Sequence, residues 1–150
     1  MRIIPLSEGS FTIDKSKLFV PFDTGKDDLQ ARATGSLLVE VQPFAVITSE
    51  DILLLDTGLG FDINGVPQLH LNLMNAGINP GEVTKVLMSH LHKDHAGGVS
   101  HRDPKSGKYE LSFPNATYYV QQKEMAFAGE KGLPSYVPDE LDVLRDAPNV

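Results

Sequence analysis

A mixed α/β domain is the fold class this sequence predicts, and three observations predict it. Short apolar runs recur at residues 37–41, 44–48, 52–55, 85–89 and 116–120, each of strand length and each bounded by turn residues. Between the third and fourth runs, Val66, Leu69, Leu73 and Ala76 recur at spacings of three and four, the period of a helix with one buried face. The chain has 150 residues, 41% hydrophobic and 22% charged, enough for one domain with a real core.

Taken in order, residues 2–6 read as a short first strand. Residues 21–35 carry Asp23, Lys26, Asp27, Asp28 and Arg32 and read as a solvated loop; the Asp27-Asp28 pair is expected to be surface charge rather than acid–base machinery. Strands at 37–41 and 44–48 are separated by Pro43, which cannot donate to a ladder. Ser49-Glu50-Asp51 reads as the turn of a hairpin whose second strand is 52–55. The helix over 66–76 ends at Gly77, where a C-cap belongs, and His70 lies beside its apolar stripe as a boundary residue. Asn79-Pro80-Gly81 is a turn, and 85–89 a buried strand. Residues 102–108 form a polar connection, 116–120 a strand, 122–129 a helix, and a short helix is expected over 139–144.

Immediately after the 85–89 strand the chain reads His90-Leu91-His92-Lys93-Asp94-His95-Ala96-Gly97-Gly98. Imidazole binds zinc through a neutral ring nitrogen, and carboxylate through oxygen. In extended backbone residues two apart point the same way, so His90 and His92 can meet one ion. Asp94 and His95 can turn toward a second. Gly97 and Gly98 lack a Cβ, so the backbone can bend tightly and approach the site closely. The ligands follow a strand end, where rigid scaffold meets loop.

The segment Met88-Ser89-His90-Leu91-His92-Lys93-Asp94-His95-Ala96-Gly97-Gly98 closely resembles the signature of the metallo-β-lactamase-fold hydrolases, and Leu53-Leu54-Leu55-Asp56-Thr57-Gly58 resembles their strand-and-turn element. The resemblance covers residues 37–129 well and the ends loosely. It implies a four-layer αββα sandwich and a binuclear zinc site, with iron or manganese as alternatives. A water shared by two ions would attack an ester, lactone, thioester or amide carbonyl. In this reading His90, His92, Asp94 and His95 are metal ligands, Asp94 doubles as a proton acceptor, and Asp56 stands behind the metals, hydrogen-bonded to a ligand histidine. The short motif is most similar to lactonase-type members, with a small molecule as substrate.

One departure bears on the chemistry. The family completes its two sites with histidines and an aspartate far downstream, but the only histidine after His95 is His101, too near to serve. Residues 1–150 are therefore expected to be the N-terminal portion of one hydrolase domain, ending as Pro148-Asn149-Val150 opens another strand. Such a half-sandwich leaves an apolar face uncovered, inviting a homodimer or pairing with a C-terminal portion. Alone it offers two ligands per ion and is expected to be inactive. The alternatives are a non-catalytic half-domain acting in binding or assembly, and an iron-dependent redox relative.

Composition excludes other classes. A net charge of −7 with no basic cluster argues against a nucleic-acid surface. The absence of cysteine excludes disulfides and thiolate-bound zinc within the chain. The N-terminus turns polar too soon for a signal peptide, and no run reaches the ~18 apolar residues of a membrane span, so the expected location is the cytoplasm, with no membrane partner.

Overall fold

The computed structural model describes Met1–Val150. In chain order the strands are β1 (Arg2–Pro5), β2 (Gly9–Ile13), β3 (Val20–Pro21), β4 (Leu37–Val41), β5 (Phe44–Ile47), β6 (Ile52–Leu55), β7 (Asp62–Ile63), β8 (Val66–Pro67), β9 (Lys85–Leu87), β10 (Ser100–Arg102), β11 (Tyr109–Leu111) and β12 (Thr117–Tyr119). The α-helices are α1 (Gln68–Asn75), α2 (Lys93–Ala96), α3 (Gln122–Lys131), α4 (Pro138–Leu141) and α5 (Val143–Asp146). This is the mixed α/β arrangement of the metallo-β-lactamase type that the sequence predicts.

A five-stranded sheet in the order β1-β5-β6-β9-β12 organises the molecule. The β5–β6 hairpin pairs Phe44 with Leu55 and Ile47 with Ile52, closed by the Ser49–Asp51 turn as expected. Beyond it the sheet becomes parallel, β6 with β9 and β9 with β12. Parallel strands need crossovers. Helix α1 lies on the first; the second carries the histidine motif. Register places Ile4, Ala45, Leu54, Val86 and Tyr118 in one row across all five strands. The last four of these are buried, and they pack with Leu69 and Leu73 of α1, Ala128 of α3, Leu141 and Leu144 in a core of 19 buried residues.

The opposite face of the same sheet is open. Alternation turns Ile3, Leu55, Leu87 and Tyr119 outward, and they are 57%, 36%, 45% and 47% exposed. A smaller sheet, β3-β2-β4, builds a separate core from Phe11, Val41 and Leu59, with Phe19 and Val39 packed against it.

Several boundaries differ from the sequence pattern for identifiable reasons. Val66 and Pro67 belong to the short β7–β8 hairpin, so α1 starts only at Gln68, after a proline that lacks an N–H to donate. Gly77 ends the helix at φ +80°. Strands β2 and β3 were not legible because their pairing is with β4 and with each other, not with a sequence-adjacent hydrophobic run. The polar connection proves to be the 103–108 turn of a β10–β11 hairpin, held by Asp103 accepting from the backbone of Ser106. The expected 139–144 helix is divided at Asp142 into α4 and α5. Asp28 caps a turn by accepting from Gln30, and Asp27 accepts from the Asp23 backbone, as surface charges do. No helix is long and apolar enough to cross a membrane.

The two faces of the large sheet should respond differently to truncation. Leu54→Ala removes a fully buried side chain and should cost about 2–5 kcal/mol in urea unfolding. Leu87→Ala, one residue beyond Val86, the strand partner of Leu54, but on the open face, should cost under about 1 kcal/mol.

Candidate metal centre

The site is built where parallel strands end. Leu55 pairs with Leu87, so the residues that follow, Asp56 and Met88-Ser89, emerge side by side at the carboxyl edge of the sheet. That edge is where open α/β sheets place ligands. The Asp56 N–H donates to Leu87 O at 3.0 Å, which carries the pairing one residue past the strands. Asp56 then turns at φ +60°, a left-handed conformation that aspartate tolerates better than most residues.

The turn aims its carboxylate at the motif. Oδ1 accepts from the Ser89 N–H at 2.8 Å, while Oδ2 is 2.8 Å from Ser89 Oγ and 2.8 Å from His95 Nδ1. Burial works against the Asp56 charge, but the hydrogen bonds from His95 and Ser89 outweigh it and hold its carboxyl below the usual range. His95 shifts the other way, raised chiefly by its bond to Asp56. With Nδ1 engaged, the ring presents Nε2 to the opening, 3.6 Å from Asp94 Oδ2.

His92 closes the His90–His92 segment with extended backbone, φ −61° and ψ 148°. Leu91 turns inward and is fully buried, with its N–H donating to Glu124 of α3 at 3.0 Å. Its neighbours therefore face the other way, and the His90 and His92 rings lie 4.7 Å apart. At His92 the chain enters the single turn α2, which brings His95 round until its ring is 4.0 Å from that of His90. Thus the structure brings His90, His92, Asp94, His95 and Asp56 into one cluster. Burial, with the adjoining His95 and His92 rings, lowers the His90 pKa, so its ring is neutral at neutral pH and keeps a lone pair.

The chemistry of this donor set fits zinc: three imidazoles and a carboxylate, with one imidazole fixed from behind by Asp56. The fit is partial, because no three donors are arranged around one common point. His70 and His101 do not complete it. They form a separate pair, rings 6.2 Å apart, with His70 Nε2 bonded to Ser112 O and its ring against Phe113.

Close backbone approach explains the glycines. The Thr57 N–H and Oγ1 both donate to His95 O, at 2.7 and 3.0 Å. A Cβ on Gly97 or Gly98 would collide with the carbonyls of Leu59 and Thr57. From the other side Glu8 supports the same turn: its Oε2 accepts from the Leu59 N–H at 2.6 Å, and its carboxylate lies where a Gly58 side chain would be. Nothing in the sequence marked Glu8, whose carboxyl partner Leu59 is 51 residues away. Asp56, Asp94 and His95 also line a cavity of about 170 Å³ with Val39, Gln42 and Pro43 of the β4–β5 connection.

Comparison with known proteins agrees with this architecture. Residues 38–147 match the model of the metallo-beta-lactamase superfamily. Over 52 residues the chain is 40% identical to N-acyl homoserine lactonase AttM of Azorhizobium caulinodans, which is 35% of this chain and 16% of that protein. Among solved structures, AidC, a dizinc quorum-quenching lactonase in complex with the product N-hexanoyl-L-homoserine, is similar at a TM-score of 0.60 and 25% identity, covering 87% of this chain and 45% of that one. A probable metal-dependent hydrolase from Staphylococcus aureus is similar in fold at a TM-score of 0.64 and 23% identity, over 88% of this chain and 50% of that one. This chain thus spans about half the length of these solved structures. It belongs to the metallo-beta-lactamase superfamily.

Glu8 gives a pH test of the support beneath the site. Burial pushes its carboxyl up to about 7 from 4.5, against the opposing bond from Leu59. The folded state therefore holds a proton that the unfolded chain releases near 4.5. The stabilisation is fully present below pH 4.5 and is lost as pH rises to 7, on the order of 3 kcal/mol in all. Chemical denaturation across that window should show the decline, and Glu8→Gln should flatten it.

Proposed function

We propose that this member of the metallo-beta-lactamase superfamily is, in its complete form, a zinc-dependent hydrolase of lactones and esters, with N-acyl homoserine lactones the first candidates. The observation that carries the reading is the cluster of three histidines and Asp94 at the carboxyl edge of β9, backed by the Asp56–His95 hydrogen bond. The lactonase similarities supply the substrate class.

In this reading His90 and His92 hold one ion, and Asp94 and His95 a second. Bound zinc supplies a Lewis acid for the carbonyl and lowers the pKa of water toward neutrality. The chain's own residues prepare that chemistry. Asp56 fixes the His95 ring and leaves Nε2 free. Ser89 Oγ, 3.1 Å from His90 Nδ1, orients the neutral His90 ring from the same carboxylate. Asp94 Oδ2 faces the opening beside His95 and is placed to accept a proton from attacking water. Gln42 and Pro43 of the β4–β5 connection line one side of the cavity.

A second reading follows from the lack of a three-donor arrangement: the chain is a non-catalytic half-domain that acts only in binding or assembly. The two are separated by elemental analysis for zinc, iron and manganese, together with hydrolysis assays on lactones and esters, on residues 1–150 and on the complete hydrolase. The expected outcome is weak, exchangeable zinc and background turnover for residues 1–150, and firm zinc with lactone turnover for the complete protein. Firm metal without turnover in the complete protein would refute the hydrolase reading. Asp56→Asn should lower zinc affinity by about 10–100-fold in competition with a chelator; unchanged affinity would remove Asp56 from its role.

A further inference from the structure

The small β3-β2-β4 sheet does more than fill space. Its register pairs Phe11 with Val39 and Ile13 with Leu37, so these four share one face. Phe11 is buried and packs edge-on against Phe19 at 6.1 Å. The remaining apolar surface, Ile13, Phe19, Leu37 and Val39, forms the floor of a groove of about 530 Å³ that ends at Asp94. A smaller cavity continues it past Asp94 to His92 and Ser135.

The charged groups of this groove are unusual in a chain of net charge −7. Lys15 and Lys17 line the groove, and Lys17 and Lys93 line its continuation. The Lys93 ammonium stands 5.9 Å from the centre of the Phe19 ring. None of the three forms an ion pair; the lysines that do are Lys26 and Lys85. Glu140 feels the charge of Lys93 without reaching ion-pair distance. Two carboxylates share the groove: Asp14, whose Oδ1 accepts from the N–H and hydroxyl of Ser16, and Asp94 of the donor cluster; neither pairs with a lysine. Lys17 is also held at φ +60°, a conformation glycine adopts freely and lysine does not.

We propose that this groove selects an acyl substrate that carries a carboxylate: an ester or lactone whose aliphatic part lies on Ile13, Phe19, Leu37 and Val39 and whose anionic group sits among Lys15, Lys17 and Lys93. The inference rests on the hydrolase reading for turnover but not for binding. Unpaired ammonium groups beside a low-dielectric wall attract an anion more strongly than they would in open water.

Binding is measured first, without zinc. Monomethyl adipate and methyl hexanoate match in chain length and differ in the carboxylate; each is titrated into the protein while NMR shifts are followed. Monomethyl adipate should bind about tenfold more tightly at low salt, and 1 M NaCl should abolish the difference. Lys17→Gly, which removes the ammonium where glycine suits the backbone, and Lys15→Gln should each reduce the preference several-fold. Lys105→Gln, in the β10–β11 turn, should leave it intact. Turnover of the p-nitrophenyl esters of adipic acid (the monoester) and hexanoic acid is then compared in the zinc-loaded complete protein, with the same preference expected in kcat/KM. Equal binding of the two methyl esters, or a preference indifferent to Lys15 and Lys17, would overturn the groove assignment. Lysine-dependent binding with neither p-nitrophenyl ester hydrolysed would keep the anion groove and defeat the hydrolase reading instead.

Discussion

One carboxylate ties the site together. Asp56 leaves the end of β6 and receives the Ser89 N–H, the Ser89 hydroxyl and His95 Nδ1. Two of these donors sit at the end of β9 and the third one helical turn into the motif, so a single side chain fixes the strand end, the motif's entry and its last histidine. The cost is a left-handed aspartate and a half-buried charge. The return is that three hydrogen bonds offset its desolvation and orient an imidazole that would otherwise rotate. Backbone contacts then lock the arrangement, since Thr57 donates twice to His95 O and the Gly58 segment bridges to Ala96.

These contacts depend in turn on layers that never touch the site. The β6–β9 register is set by the buried row through Leu54 and Val86; a slip of one residue would turn that row to the open face and carry Asp56 away from Ser89. Glu8 braces the Asp56–Leu59 turn from beneath with a carboxyl that stays protonated to about pH 7. The small sheet brings Phe19 and Val39 against the motif, so that one wall of the opening comes from residues before position 40. The donor cluster is thus supported from three sides and open on the fourth. On that fourth side no third donor closes a coordination sphere, and the outer face of the large sheet is bare.

Much of the fold was legible because it is local. The β5–β6 hairpin announces itself by two apolar runs and a polar turn, and α1 by its period and by Gly77. The motif announces itself through ligand chemistry at two-residue spacing after an apolar strand. The strands β2, β3, β10 and β11 were not legible. They are two to five residues long, and their stabilising partners lie across the small sheet or a capped turn, so no periodicity could accumulate.

The sequence by itself determined the candidate donor set, because residue type and spacing are covalent facts: His90, His92, Asp94 and His95 cannot be far apart, and Gly97 and Gly98 cannot crowd a neighbouring strand. Only tertiary structure decided which groups stand behind and around them. Glu8 lies 51 residues from Leu59. Lys15, Lys17 and Asp94 line one groove that no local pattern implies. Such contacts exist because strands pair in one register and pack in one order, and that is a property of the folded sheet and not of any stretch of its sequence.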